Sequence, residues 1–156
     1  MRDFNPKEYK VTALRDCPVP EDMRICHEPE QIATYWRMHI EKHPYFDPEC
    51  ECLAVVLLNA RKRVKGHQLL TVGTVDSVHL DNRVIFRSAI IAVTCGIIVI
   101  HNHPSGDPSP SQADITVTRN LRRAGDLLNI DVVDHVIMGK GNPGYCSLRS
   151  LGYLAA

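Results

Sequence analysis

The stretch Ile97-Ile98-Val99-Ile100-His101-Asn102-His103-Pro104-Ser105-Gly106-Asp107-Pro108-Ser109-Pro110-Ser111-Gln112-Ala113-Asp114 changes character twice. Residues 97–100 form a β-branched run, which suits the crowded, pleated surface of a buried strand. The run passes directly into His101. Residues 102–110 hold three prolines and a glycine and read as a loop. Ser111 then opens a helix. Histidines at i and i+2 of an extended chain lie on one side of it, so His101 and His103 stand together where a buried strand meets solvent. Asp114 falls three residues after the predicted cap, in the first helical turn. The loop can fold the helix start back toward the strand end, so that two imidazoles and one carboxylate converge. Zinc takes such donors at about 2.0–2.2 Å, and a catalytic zinc keeps a fourth position for water. His101, His103 and Asp114 are therefore the candidate metal ligands, with Zn2+ as the implied cofactor. Ser111-x-x-Asp114 is also a capping-box pattern, in which the carboxylate satisfies a backbone donor. The two readings compete only for that carboxylate.

Upstream of this stretch, Asp81 or Asn82 caps a predicted helix running to about Thr94, with Phe86, Ala89, Ile90 and Val93 as its apolar face and Gly96 as its stop. Downstream, Val117, Leu121, Ala124 and Leu128 line one side of the helix that Ser111 opens. Residues 130–138 read as another strand, closed by Gly139 and Gly141. Earlier in the chain, residues 52–58 are apolar on both faces, as a central strand must be. A polar turn at 59–63 leads to a second strand at 64–72, and 74–78 reads as a third. Glu28-Pro29 opens a helix, with proline where its missing N–H costs nothing, and Ile32, Ala33, Trp36 and Ile40 form its stripe. Pro44 and Pro48 end it. Strands mixed with helices and joined by short links predict an α/β (α+β) domain, a mixed sheet flanked by helices. The expected organisation is an extended N-terminal arm over 1–27 and one domain over 28–156.

A chain of 156 residues suits one domain with one sizeable core. Lys plus Arg and Asp plus Glu each total 18, so the net charge is zero and gives no bulk electrostatic case for nucleic acid or a membrane surface. The longest strongly apolar stretches, at 53–58 and 97–100, are too short to span a bilayer, and the first residues show no signal-peptide pattern. The expectation is a soluble cytoplasmic protein. Six cysteines, Cys17, Cys26, Cys50, Cys52, Cys95 and Cys146, are then read as reduced thiols. A structural metal on Cys17, Cys26, Cys50 and Cys52 is the alternative, at a spacing that matches no standard zinc site.

The order H-x-H-P, six residues, then S-x-x-D resembles the JAMM motif of the MPN/JAB superfamily of zinc isopeptidases and peptidases. More narrowly, residues 101–107 and the later Asp134-His135 resemble the RadC family of bacterial proteins. The resemblance covers residues 51–154 and implies a JAB/MPN-like, cytidine-deaminase-like fold, a curved mixed sheet flanked by helices. It also implies a glutamate just before the first central strand, a position that Glu51 matches. In the implied mechanism Glu51 takes a proton from the attacking water and returns it to the leaving amine, and Ser111 donates a hydrogen bond to the developing oxyanion. Glu49 shares the parity of Glu51 but sits further out in a proline-bounded loop. The implied substrate is a peptide, isopeptide or related amide.

Two departures stand out. The His-Pro-Arg-Glu-like stretch that usually opens the second helix is replaced by Val78-His79-Leu80-Asp81-Asn82-Arg83, and the helix-hairpin-helix region that precedes the domain in full-length relatives has no counterpart in this sequence. The competing reading is a binding or regulatory module of DNA metabolism with a non-catalytic metal site. An intact set of three ligands, serine and glutamate favours retained chemistry, and no nucleic-acid partner is expected of this chain. His135 reads as a structural histidine of a strand, with support of the metal site as its alternative. Asp107 reads as a turn residue. His27, His39, His43 and His67 read as surface residues, and the basic groups Arg119, Arg122 and Arg123, and Arg61, Lys62, Arg63 and Lys65, as solvated faces.

Overall fold

The computed structural model describes residues 13–21, 24–26, 28–73 and 81–155. They form a mixed α+β fold around a five-stranded sheet of β1 (Glu51–Leu58), β2 (Val64–Gly73), β3 (Gly96–Asn102), β4 (Asp131–Met138) and β5 (Tyr145–Ser147), in the order β2-β1-β3-β4-β5. All neighbours are antiparallel except β3 and β4, which are parallel because helix α3 (Gln112–Leu128) crosses between them. Helix α1 (Pro29–Tyr35) continues as a π-helical turn over Trp36–Ile40, and α2 (Asn82–Ile91) precedes β3.

The central strands are buried on both faces, and their alternation divides the core in two. Cys52, Ala54, Val56 and Leu58 of β1, with Ile98 and Ile100 of β3, pack under α1 and its π turn against Ile32, Trp36 and Ile40. Leu53, Val55, Leu57, Ile97 and Val99 face the other way and pack with Ile85, Phe86 and Ala89 of α2 and Leu121 of α3. Helices therefore cover both faces of one sheet, and β1 and β3 read as continuous apolar runs for that reason. His101, of odd parity on β3, falls on the α2/α3 face. Cys26 is buried in the α1 cluster, and Ile25 makes an isolated bridge to Arg63.

Several expectations need correction. Helix α2 stops at Ile91, not near Thr94: the Thr94 N–H and hydroxyl both return to the Ala89 carbonyl, and Val93 takes a left-handed φ of 48°. Ile90 and Val93 are consequently 53% and 82% exposed and are not part of the apolar face. Gly96 does not end that helix. It begins β3, where a Cβ would stand 3.2 Å from the Asp131 carbonyl oxygen. On α3 Val117, Leu121 and Ala124 do pack on the core as expected, but the helix is rotated so that its most buried residues are Thr118, Leu121 and Gly125, while Leu128 is 43% exposed. Gly125 sets this rotation: a Cβ there would lie 2.4 Å from the Ile130 carbonyl oxygen, so the helix lies closer to β4 than any side chain would allow. Strand β5 was not foreseen, and the strand expected at 74–78 lies outside the described residues.

His67 and His39 are not free surface residues. Tyr35 Oη lies 2.8 Å from His67 Nδ1, and the two histidine rings stack with centroids 6.2 Å apart. Burial pushes the His67 imidazole down to about 4, with the positive charges of His39, Arg15 and His43 adding to the effect. An unfolded histidine titrates near ~6.5. The unfolded chain therefore takes up this proton first, and the stability tied to neutral His67 is complete above that value and lost as the pH falls toward 4. Denaturant titrations should show wild type losing on the order of 2 kcal/mol more than His67→Gln between pH 7 and pH 4.5. Equal losses in the two proteins would mean that His67 protonates in the folded state without penalty.

Candidate metal centre

His101 is the penultimate residue of β3 and only 1% exposed. His103 follows the strand, its N–H bonded to the Met138 carbonyl at 2.9 Å, so β4 steers the chain one residue beyond the ladder. The loop then turns back on itself. Gly106 N–H donates to the His103 carbonyl at 2.9 Å, Gly106 holds φ 87°, and Lys140 N–H donates to the Gly106 carbonyl at 2.7 Å. Gly139 makes this approach possible, since a Cβ there would meet Gly106 O at 2.5 Å and Pro108 Cδ at 2.7 Å. Asp107 plays the turn role read from the sequence, accepting from Ser109 N–H at 2.9 Å, and its backbone carbonyl lies 2.8 Å from His103 Nδ1. A carbonyl only accepts, so His103 carries its proton on Nδ1 when neutral and leaves Nε2 bare.

Ser111 caps α3 in a reciprocal box. Its hydroxyl accepts from Asp114 N–H at 3.1 Å, and its N–H donates to Asp114 Oδ2 at 2.7 Å. Ser111 Oγ also donates to Asp114 Oδ2 at 2.6 Å. The capping box thus coexists with convergence on the histidines: His101 Nε2 lies 3.3 Å from Asp114 Oδ1, and His103 Nε2 lies 3.5 Å from Asp114 Oδ2. The two histidine Nε2 atoms are 3.1 Å apart. These three side chains can hold a metal ion, and they are the only such group of three or more His, Cys, Asp or Glu among the described residues. All six cysteines are free thiols outside it. Burial on its own raises the Asp114 carboxyl, but hydrogen bonds from His101, His103 and Ser111 outweigh it and hold the group well below the usual carboxylate range. The same hydrogen bond, donated to Asp114, raises His103.

Glu51 opens β1, two residues before Leu53, the partner of His101 in the β1–β3 ladder. Its Oε1 lies 3.7 Å from His101 Nε2 with the side chain 25% exposed. Glu49 lies exposed in the preceding turn, its N–H bonded to the Asp47 carboxylate. Glu51, His101, His103, Asp114 and Ser111 therefore stand in one place.

Three residues to which the sequence reading assigned no part in the site also build it. Asn102 accepts from Cys52 N–H at 2.8 Å and donates to the Cys50 carbonyl at 3.1 Å, bracketing Glu51 on both sides. Thr118, one turn after Asp114, donates to the Asp114 carbonyl at 2.6 Å. Gly139 admits the loop. The i to i+4 spacing from Asp114 was a usable signal for Thr118. His135, read as a structural histidine, touches His101 directly, with Nε2 2.9 Å from His101 Nδ1. Asp134 beside it points to the opposite face and bonds Ser147 and the Arg149 N–H. His79 lies outside the described residues.

The mixed α+β fold around the five-stranded sheet is consistent with a JAB-like domain, and residues 26–153 match the RadC-like JAB domain family. The chain belongs to this family. A UPF0758 protein of Thermotoga maritima is 45% identical over 106 residues, 68% of this chain and 47% of the relative. A UPF0758 protein of Methanosarcina barkeri is 35% identical over 138 residues, 87% of this chain and 56% of the relative. The chain thus spans about half the length of the curated relatives it matches.

Gly139→Ala should displace the loop that carries the Asp107 carbonyl without touching a ligand. Outer groups of this kind typically contribute about 10–100-fold to metal affinity, and a loss near the lower end is expected, measured by chelator competition. Unchanged affinity together with an unchanged melting temperature would show that the loop accommodates the methyl group.

Proposed function

We propose that this domain is a zinc-dependent hydrolase of peptide, isopeptide or related amide bonds. The observation that carries the reading is the convergence of His101 Nε2, His103 Nε2 and the Asp114 carboxylate, with Glu51 Oε1 3.7 Å from the first of them. A tetrahedral ion with bonds of about 2.0–2.1 Å keeps its ligand atoms about 3.3–3.4 Å apart. The two imidazole Nε2 atoms are 3.1 Å apart, His101 Nε2 lies 3.3 Å from Asp114 Oδ1, and His103 Nε2 lies 3.5 Å from the other carboxylate oxygen, Oδ2. Two imidazoles favour zinc over magnesium or calcium, which prefer oxygen, and three protein ligands leave a position open.

Zinc bound there would supply a Lewis acid that acidifies water toward a pKa of ~7 and polarises a carbonyl. The side chains do the rest. Glu51, outside the ligand triad but beside it, receives the proton of the attacking water and delivers it to the leaving amine. The carboxylate is held for this task because Asn102 fixes the backbone on either side of it. Ser111 is the donor for the oxyanion. Its hydroxyl now donates to Asp114 Oδ2, so this role requires it to rotate toward substrate while the Ser111 N–H keeps the cap on Asp114.

A nucleic-acid partner finds little support in the basic residues. A cleft of about 440 Å³ at the opposite end of the sheet is lined by Arg61, Lys62, Arg122 and Arg149. Lys62 pairs with Asp131, Arg122 with Asp126 and the Leu154 carbonyl, and Arg149 with Glu28 and Asp134. No helix among the described residues is long and apolar enough to cross a membrane, and six unpaired thiols suit a reducing compartment such as the cytoplasm.

Elemental analysis should find one zinc per chain. Asp114→Asn should keep α3, because asparagine retains an oxygen for the Ser111 N–H, yet bind zinc more weakly. If Asp114→Asn holds zinc as tightly as wild type, Asp114 is a cap and not a ligand. Glu51→Gln should retain both fold and zinc but lose about 10²–10⁴ in turnover on peptide and isopeptide-linked substrates, the usual contribution of a general acid–base group. Near-normal turnover in that variant would remove Glu51 from the mechanism.

A further inference from the structure

His101, His135 and Thr118 form a line of hydrogen bonds leading away from the candidate metal centre. His101 Nδ1 lies 2.9 Å from His135 Nε2, and His135 Nδ1 lies 2.6 Å from Thr118 Oγ1. Thr118 Oγ1 lies 2.6 Å from the Asp114 carbonyl oxygen. All three residues are buried, at 1%, 1% and 0% exposure. We propose that Thr118 and His135 are positioning residues that set the tautomer of His101, presenting its Nε2 bare to a metal ion. The proposal rests on the metal-centre reading above.

The number of protons on these side chains limits how the line can run. A neutral imidazole has one donor nitrogen and one acceptor, and a hydroxyl has one proton. His135 is 1% exposed, and its two ring nitrogens face an imidazole and a hydroxyl with no anion between them, so the neutral ring is the form the site accommodates. The line can then run in only two directions. In the first, Thr118 donates to the Asp114 carbonyl, His135 Nδ1–H donates to Thr118, and His101 Nδ1–H donates to His135 Nε2. His101 Nε2 is left as a lone pair aimed at His103 and Asp114. In the second, Thr118 donates to His135 Nδ1, His135 Nε2–H donates to His101 Nδ1, and the His101 proton sits on Nε2, facing Asp114 Oδ1 at 3.3 Å. The His101–His135 and His135–Thr118 bonds form either way, but only the first direction also lets Thr118 donate to the Asp114 carbonyl, and only the first leaves a nitrogen that can bind a metal.

The outer partner of a metal-bound histidine is usually a carboxylate, a carbonyl or a water, and the first two, which only accept, impose one tautomer. Here the partner is a second imidazole, which imposes nothing until its own far nitrogen is assigned. That assignment falls to Thr118, whose hydroxyl accepts from His135 because its own proton has an acceptor in the Asp114 carbonyl. The tautomers of His101 and His135 and the rotor of Thr118 are thus coupled, and the direction that leaves His101 Nε2 bare is the one a metal ion would require. Valine at 118 has a similar shape but no lone pair, so it would leave His135 Nδ1–H buried without an acceptor in the metal-bound direction.

The test compares wild type, Thr118→Val and Thr118→Ser by zinc affinity against a competing chelator, with long-range 1H–15N spectra of the histidine rings. Thr118→Val should bind zinc about 10–100-fold more weakly, the usual effect of losing an outer partner, and Thr118→Ser should restore affinity. In zinc-loaded wild type, His135 should carry its proton on Nδ1. Zinc affinity in Thr118→Val equal to wild type, or an Nε2–H on His135 in the zinc-loaded wild-type spectrum, would overturn the relay while leaving the metal centre in place. A wild-type protein that takes up no zinc would overturn both. The wild-type spectrum decides the question even if Thr118→Val does not fold.

Discussion

Asn102 holds two strand ends in one geometry, and the candidate centre depends on it. The β1–β3 ladder runs out at Leu53 opposite His101. Beyond that point the Asn102 side chain takes the place of a backbone partner, accepting from Cys52 N–H and donating to the Cys50 carbonyl. Glu51 lies between those two residues, so its carboxylate is fixed relative to His101 by an amide that is itself 8% exposed. Leaving such buried groups unpaired costs about 1–3 kcal/mol each. The β3 end therefore supplies a candidate ligand at 101, a clamp at 102 and a second candidate ligand at 103, on consecutive residues that alternate in direction.

The capping box and the metal site were opposed readings of Asp114, and the fold shows why both can stand. A carboxylate has lone pairs to spare. Oδ2 takes the Ser111 N–H and hydroxyl, while both oxygens still face the imidazoles. A helix N-terminus carries partial positive charge and by itself repels a cation. A carboxylate in the first turn is favoured there and reverses the local sign, so one residue stabilises α3 and makes the helix start tolerable as the wall of a cation site.

The parts legible in the sequence were those governed by local rules. The β-branched run into His101, the Ser111 cap, the doubly buried β1 and the i, i+2 histidines each follow from a short pattern. What escaped was set by contacts between elements. The apolar stripe of α3 is rotated toward Thr118 and Gly125 because Gly125 lets the helix close on Ile130 and because Thr118 has a polar partner waiting on β4. Helix α2 ends early because Thr94 folds back onto Ala89, which no periodicity announces. Strand β5 has only three residues and pairs with the end of β4 after a Gly- and Pro-containing turn, too short for an alternation to show. His67 reads as a surface residue until Tyr35 is brought across to meet it.

The least legible feature decides what Asp134 and His135 do. Along the β3–β4 pair, Ile97 faces Val132, but Ile98 faces Asp134, so Val133 is an extra residue in the ladder. Val132 and Val133 are both apolar and enter opposite clusters, and the sequence gives no sign of the shift. A one-residue shift exchanges the faces of everything after it. With the shift, His135 pairs with Val99 on the α2/α3 face and meets His101, while Asp134 turns to the α1 face and ties down Ser147 and Arg149. Without it, the carboxylate would point toward His101 and the imidazole away. A carboxylate there would impose one tautomer on His101 outright, whereas the imidazole hands that choice to Thr118. The irregularity in β4 is therefore what makes the His101 tautomer depend on a helix that closes over the site from the other side of the loop.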